Sequence, residues 1–481
     1  MQNHPAQALH PGSVSQTITP GADIPRSVHR SSRGLRLPLA GAPSAVIDSA
    51  RTVSRVALLA DDSIGLRPTF KVAAGDAVRR GQLVYEDKTT PGVRYTAPAE
   101  GHVEAIHRGE KRAFQSLVIA LSEAERGGRG EQVTFPAFTG RDPAALSGDA
   151  IRELLLESGL WTALRARPFS RVAHPDDTPR AIFVTATDTD PLAPDPAGII
   201  GARHGDFGQG LVALSALTTG PLFLCTSETW SVPLPAVARL RHATFAGPHP
   251  AGAAGFHIHT LDPAGRGRLA WHVGYQDVLA IGHLFTTGLL DAARVVALAG
   301  PSVRTPRLLR TRLGASIDEL TAGELHEGPI RTVSGSVLSG RAAAGPVLGY
   351  LGRYHRQICA VPEGRQREFL GWAAPGLSKF SVTGLFLSRL RPGQPLAMTT
   401  STNGSRRAIV PIGLYEKVMP FDVEPTYLLK ALVMHDLERA EELGCLELDE
   451  EDVAVCTFVC PGKHDYGRHL REVLTRLEQE G

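Results

Sequence analysis

The residues that raise the question of chemistry are histidines, cysteines and glycines at particular spacings. His249, His257 and His259 lie in FAGPHPAGAAGFHIH (Phe245 to His259). An H-x-H pair on a strand places both imidazoles on one face, as a metal site would want. No carboxylate or thiol is close in sequence to complete the shell, so the stretch also reads as a glycine-rich loop serving packing or partner contact. Cys456-Thr-Phe-Val-Cys460-Pro461 has the ending of a bacterial ferredoxin run, but a [4Fe–4S] cluster needs four thiolates and an upstream pair of C-x2-C steps. Those cysteines are missing, and Cys225, Cys359 and Cys445 are scattered singly. Buried structural thiols are the expectation. Gly208-Gln-Gly210-Leu-Val-Ala213 matches a loose dinucleotide fingerprint, with Glu228 about twenty residues on. Pyrophosphate binding requires that such a loop follow a strand directly. A Pro-rich stretch separates Thr187 from Gly208, which favours a packing turn. A P-loop, a G-x-S-x-G elbow and an H-E-x-x-H pair are absent. No catalytic, cofactor or metal residue is therefore assigned.

The elements that would carry these residues belong to a long chain of ordinary composition. At 481 residues it needs several cores, and 42% hydrophobic residues supply them. A formal charge of +2 argues against nucleic-acid binding, and no apolar run is long enough to span a bilayer. Five cysteines fit a reducing compartment better than a disulfide framework. Residues 1–33 are rich in Pro, Ser, His and Gln without an apolar h-region, so a disordered arm rather than a secretory signal is expected there.

From Val53 to Ile119, short β-rich runs alternate with Gly and Pro, which suggests a small sandwich or barrel over residues 34–125. The stretch AGDAVRRGQLVYED followed by YTAPAEGHVEAIH resembles the barrel-sandwich of biotinyl and lipoyl carrier domains. The Pro91-Gly92 turn places the hairpin tip away from Lys88, so an unmodified lysine is expected. From Ile151 the period changes. IRELLLESGLW reads as a helix, AIFVTAT as a buried strand, LVALSAL as a helix and PLFLC as a strand, which predicts a Rossmann-like α/β domain over 126–293. Residues 294–345 return to short β-runs around SIDELTAG, where Ser316 and Glu319 fit a capping box. In the last region, 346–481, Leu428, Leu429, Leu432, Val433, Leu437 and Leu443 fall near one face of a first helix. Leu470, Val473, Leu474 and Leu477 do so in a second, giving a mixed, mainly helical C-terminal domain.

Several long runs together resemble the A subunits of Na+-translocating NADH:quinone oxidoreductases. They are GLRLPLAGAP (Gly34 to Pro43), GLRPTFKVAAGDAVRRGQ, APAEGHVEAIHRGEKR, GPHPAGAAGFHIH, WHVGYQDVLAIGHLFTTGLL, VALAGPSVRTPRLLRTRLGAS and LGCLELDEEDVAVCTFVCPGKHDYG. The resemblance implies a bacterial membrane complex, its subunits lettered A to F, that passes electrons from NADH to ubiquinone and exports Na+. It implies a peripheral position on the cytoplasmic side of the inner membrane, held by partner subunits. NADH, flavins and iron–sulfur centres would belong to other subunits, while this one is linked with quinone binding. The implied architecture, shared with flavin-binding subunits of respiratory complex I and of the Rnf complex, includes a β-grasp (SLBB-like) domain near 294–345.

Those flavin-binding relatives carry a glycine-rich SGLRGRGGAGFPTG-like loop, whose bare backbone approaches the FMN phosphate. This chain reads SGLWTALRARPFS (Ser158 to Ser170) at the matching place, with Trp161, Ala163, Leu164 and Ala166 where the glycines would be. A cofactor-free scaffold or quinone-facing subunit is the expectation. The alternative is a flavin or iron–sulfur electron-transfer subunit of the Rnf type. His249, Phe256, His257, His259, Arg165 and Arg167 stand as candidates for quinone or partner contact.

Overall fold

The computed structural model describes residues 26–49, 51–237, 239–365, 371 and 374–480. Its centre is a seven-stranded sheet. AIFVTA (Ala181–Ala186), LFLCTS (Leu222–Ser227), LRHATFA (Leu240–Ala246) and AWHVG (Ala270–Gly274) form its parallel middle. Ala181–Ala186 pairs with Leu222–Ser227 on one side and with Ala270–Gly274 on the other. Every residue of Ala181–Ala186 is buried, as expected when helices cover both faces of a parallel sheet. Alternate side chains go opposite ways. Ile182 and Val184 join the core beneath the helices His204–Ser215 and Tyr275–Thr287, whereas Ala181 and Phe183 join a second core with the C-terminal helices.

Two antiparallel strands, Arg165–Arg167 and Arg171–Val172, extend the sheet beyond Ala270–Gly274. The opposite edge corrects an expectation. Arg26–Arg30 pairs in parallel with Leu240–Ala246, from Arg26 against His242 to Arg30 against Ala246, so order begins before Gly34. RSVHR is a half-exposed edge strand whose partner lies over two hundred residues away, and it carries no apolar run to announce it. The rest of the proposed arm, residues 1–25, lies outside the described residues.

The barrel-sandwich is present as two small antiparallel sheets, one of four strands and one of three. Val56, Val84, Val103, Leu117 and Ile119 fill the space between them, with Tyr85 stacked on Tyr95 at 4.6 Å. The β-grasp sheet is wider than 294–345. Ser44–Ser49 forms one edge against Arg307–Arg312, and Gln357–Pro362 runs through the middle beside Ala293–Ala299 and Ile330–Ser334. Ser316 caps the helix Ile317–Thr321, but the Glu319 carboxylate does not close the capping box. It accepts from the Ser54 hydroxyl at 2.8 Å, tying this sheet to the sandwich.

In the C-terminal region the first long helix is two. Pro425–Met434 ends at His435, whose φ of 56° is left-handed, and Asp436 caps Leu437–Glu442. The second, Tyr466–Glu480, is continuous, with Leu470, Val473, Leu474 and Leu477 buried.

Gly208 and Gly210 lie inside the helix His204–Ser215 rather than in a turn, and Gly210 serves packing. A Cβ on Gly210 would strike the Val278 carbonyl, and one on Gly282 would strike the Asp206 carbonyl and lie 2.7 Å from the Gly210 nitrogen. The two helices therefore cross backbone to backbone. Gly282→Ala gains about 1 kcal/mol of helix propensity, but it must push two packed helices apart, at a cost of about 1–3 kcal/mol or more. We predict a net loss of stability, read as a lower thermal midpoint. An unchanged or raised midpoint would show that the crossing tolerates a methyl group.

Candidate functional site

In a sheet wound both ways, the ligand crevice lies where successive connections leave in opposite directions, outside the carboxyl ends of the strands. After Ala181–Ala186 the chain builds two strands on one side before returning to Ala270–Gly274 on the other. The switch point therefore lies between these two carboxyl ends, which deliver Asp188, Thr189 and Asp190 on one side and Tyr275 on the other. Arg356, from the turn before Gln357–Pro362, reaches into this place. Its guanidinium lies 2.9 Å from the Asp188 carboxylate and 5.8 Å above the Tyr275 ring. Burial raises the Asp188 carboxyl to about 6, although Arg356 opposes the rise, and burial also raises Tyr275 to about 12. The β-grasp sheet thus closes the crevice with one of its own cations.

His249 borders the same end. Its Nδ1 is 3.3 Å from the Thr189 hydroxyl and its Nε2 3.6 Å from Asp190. A shallow groove of about 250 Å³ lies beside it, lined by Leu35 to Leu37, Thr189, Pro191 and the turn Gly247 to His249. The Leu35 N–H donates to the His249 carbonyl at 2.8 Å. Gly34, at φ +136°, leaves no room for a Cβ against that same carbonyl.

The other histidines are not arranged as an H-x-H strand would place them. Ala254–Leu261 is a helix, so residues two apart point about 200° from each other. His257 is fully buried, with Nε2 3.1 Å from the Ala251 carbonyl and its ring 4.2 Å from Phe245. His259 faces outward to the C-terminal region. Its Nε2 accepts from the Asp422 N–H at 2.9 Å, so Nδ1 carries the proton and donates to Glu447 at 2.7 Å. Phe256 packs between Phe245 and Phe421. The glycines and small residues around FHIH masked a helix that has no side-chain cap.

The loop Ser158 to Ser170 is solid. Trp161 is fully buried, donates from Nε1 to the Ala173 carbonyl at 2.7 Å and meets Trp271 edge to face at 5.4 Å. Arg165 lies 4.4 Å over the Tyr354 ring and 3.9 Å from Asp449. Arg167 has no exposed surface. It donates to the Glu447 carbonyl at 3.0 Å and to Asp452 at 2.9 Å, and approaches Asp449 at 3.4 Å. The Ser170 hydroxyl and Arg471 also bind Asp449, at 2.6 and 2.9 Å. Arg167 is thus a core cation rather than a partner-facing one, and Arg165 is held within the chain as well. Sequence reading missed their carboxylates, which lie some 280 residues on. Burial would raise Asp449, but Arg167 and Arg471 hold it well below the usual carboxylate range. Asp452, which shares the same guanidinium, is raised by burial to about 6.

Arg167→Met strands buried carboxylates and should cost about 3–5 kcal/mol, measured by denaturant unfolding. A loss under about 1 kcal/mol, the usual size for an exposed pair, would contradict the burial. The pH dependence should divide by residue. His257 is depressed to about 3 by burial, so its contribution is full above its ordinary value of 6.5 and is lost as pH falls. Asp452 is raised to about 6, so its contribution is full below 3.8 and is lost as pH rises. Between pH 6 and 4, His257→Gln should flatten the acid-side loss of stability by up to about 1.4 kcal/mol per pH unit. Asp452→Asn should steepen it. Equal slopes in both variants and the parent chain would refute these assignments.

Comparison with known proteins supports a specific family. The family model described as the NqrA N-terminal barrel-sandwich hybrid domain matches residues 30–122, the NqrA second alpha/beta domain 146–290, and the NQRA C-terminal domain 295–345. The A subunit of the Na(+)-translocating NADH-quinone reductase from Vibrio anguillarum is 52% identical over 449 residues, covering 93% of this chain and 99% of that protein. Its counterpart from Pseudomonas aeruginosa (strain UCBPP-PA14) is 53% identical and that from Pasteurella multocida (strain Pm70) 50%, with the same coverage. Among solved structures, an NAD+-reducing [NiFe]-hydrogenase in the H2-reduced state aligns over 48% of this chain and 49% of its own. Its 14% identity and TM-score of 0.35 are too low to carry an argument. With half its residues identical across nearly the whole length of these proteins, the chain belongs to the NqrA family, the A subunits of Na(+)-translocating NADH-quinone reductases.

Proposed function

We propose that this chain is the peripheral A subunit of a bacterial membrane complex that oxidises NADH, reduces ubiquinone to ubiquinol and exports Na+. The observation that carries this reading is the identity of about half over 99% of the length of the named subunits. The chain scaffolds the complex on the cytoplasmic side of the membrane and contributes to the quinone step, with the redox centres on other subunits. Two features support the cofactor-free part. The loop that would cradle a flavin phosphate is packed with Trp161, Leu164 and Ala166, and the switch-point crevice holds Arg356. Of the six candidates for quinone or partner contact, His249 is the one that lines the groove at Leu35 to Leu37, with 5% of its side chain exposed. His259 and Arg165 keep more surface, at 16% and 23%, but are held by Glu447 and Tyr354.

Attachment through partners is supported by the surface. Among the described residues, no helix is long and apolar enough to cross a membrane. Exposed apolar side chains instead concentrate in one stretch, with Leu377, Leu385, Leu387, Leu390, Val410 and Ile412 all well exposed and Leu385 at 82%. Exposed apolar side chains gathered into one patch mark contact surfaces, and this stretch supplies the side chains of the docking surface in this reading.

The experiment is assembly. A Leu385→Asp, Leu390→Asp double variant should keep the thermal midpoint of the parent chain when purified alone, yet fail to co-purify with the other subunits and fail to restore Na+-dependent ubiquinol formation to a complex lacking this chain. Normal co-purification would refute the docking surface. Full ubiquinol formation without the chain would refute the functional reading. Purified alone, the chain should show no flavin absorbance after incubation with FMN and gel filtration. Stoichiometric FMN retention, lost in Arg165→Ala, would instead favour an electron-transfer role.

A further inference from the structure

The C-terminal helices bring together three side chains that neither the sheet nor the switch point uses. His435 ends the helix Pro425–Met434 in left-handed conformation, and that conformation swings its ring towards the helix Tyr466–Glu480. There His469 and Glu472, three residues apart, share a face. His435 Nε2 lies 3.1 Å from Glu472 Oε2 and 3.3 Å from His469 Nδ1, and the third edge, from His469 Nδ1 to Glu472 Oε2, is 3.9 Å. The two rings are inclined at 68°, so their nitrogens converge from different directions.

These edges are those of a coordination polyhedron. A tetrahedral ion bound at about 2.0–2.1 Å to each ligand separates neighbouring ligand atoms by about 3.3–3.4 Å. Hydrogen bonds alone satisfy the cluster poorly: if His435 Nε2 accepts from His469 Nδ1–H, it sets its own bare face against the Glu472 carboxylate, and if it donates to Glu472 it faces a second donor. We propose that His435, His469 and Glu472 form a binding site for a divalent cation of the zinc class, which pins the helix Tyr466–Glu480 to the end of Pro425–Met434. Two imidazoles and one carboxylate select Zn2+, Co2+, Ni2+ or Cu2+ over Mg2+ and Ca2+. Glu472 and His435 are about one-third exposed, so water has access to the fourth position.

The surroundings help and hinder in ways that can be measured. Arg468 donates to Glu472 Oε1 at 3.1 Å, which orients the carboxylate and leaves Oε2 for the ion. Arg406 Nη2 lies 3.1 Å from His469 Nε2. Arginine only donates, so without metal Nε2 is the acceptor and Nδ1 holds the proton. An ion at Nδ1 requires the proton to move to Nε2, which sets two donors face to face and turns the exposed Arg406 away. No proton is lost from the ring in this exchange. His464 is near, with its ring 6.4 Å from that of His469, but its Nε2 is engaged with the Arg407 carbonyl at 2.6 Å.

The test uses the full-length chain, stripped with a chelator and titrated with Zn2+ alone by calorimetry and thermal unfolding. Wild type should bind one Zn2+ at this site and melt higher with it, whereas Mg2+ at the same concentration should not shift the midpoint. His435→Gln and Glu472→Gln should each remove that binding event. Arg406→Gln should bind more tightly than wild type, a gain that a merely structural cluster would not produce. Co2+ added to wild type should give the intense visible bands of four-coordination, which keeps the proposal testable even if a ligand variant folds poorly. Zn2+ binding that persists unchanged in the His435→Gln, Glu472→Gln double variant would overturn it. So would a Co2+ spectrum of the six-coordinate aqua type, or no Zn2+ binding at all.

Discussion

Arg167 keeps a full positive charge with no exposed surface, and Asp452, Asp449 and the Glu447 carbonyl are its counterweights. Taking such an ion from water costs several kcal/mol, which only close and well-directed partners offset. Arg167 lies on the strand Arg165–Arg167, which pairs with Ala270–Gly274. Its partners come from a segment near the end of the chain. That sheet edge can therefore be completed only when the last region is docked, and the C-terminal helices are a structural part of the α/β unit. Phe183 and Phe223 show the same dependence on the sheet face, where they stack at 5.0 Å under those helices. Gly255 shows how closely the two regions approach, since a Cβ there would collide with the Asp452 carboxylate.

The same dependence recurs at the other joints. The β-grasp sheet borrows Ser44–Ser49 from the N-terminal side and gains Gln357–Pro362 from beyond its expected end. Glu319 of its short helix reaches Ser54 in the barrel-sandwich, and Arg356 reaches Asp188 of the parallel sheet. Contiguous stretches of sequence therefore do not coincide with spatial units.

This explains what could be read in advance. Ala181–Ala186 and Leu222–Ser227 were legible because strands buried on both faces read as unbroken apolar runs, and Gly148–Ser158 because its apolar face repeats at helical spacing. The edge strand Arg26–Arg30 was not legible, because main-chain bonds to a distant strand leave no local pattern. The helix at FHIH was not foreseen: the stretch read as a strand carrying an H-x-H pair or as a glycine-rich loop, because alternation over four residues does not distinguish a period of two from one of 3.6. The helix break at His435 was hidden because Leu437 and Leu443 continue the apolar spacing after the backbone has turned. Among the candidate residues, Arg165 and Arg167 were expected to face quinone or a partner, whereas both meet anions of this same chain. The anions themselves, Asp449 and Asp452, lay inside a run known only for its resemblance to relatives.

Where doubly wound sheets hold a ligand, this chain holds an ion pair between two of its own domains, and that substitution bears on what the protein can do. A carboxylate such as Asp188, raised by burial to about 6 even with Arg356 beside it, is poorly stabilised unless the cation stays in place. Separating the β-grasp sheet from the parallel sheet would strand both charges, so the two move together or at considerable cost. Arg353 and Arg294 repeat the device a short way off, both bound to the buried Asp277, at 2.9 and 2.6 Å. A junction joined by several such pairs resists the hinge motions by which enzymes close over substrates. It suits a subunit whose two sheets keep one fixed relation to each other.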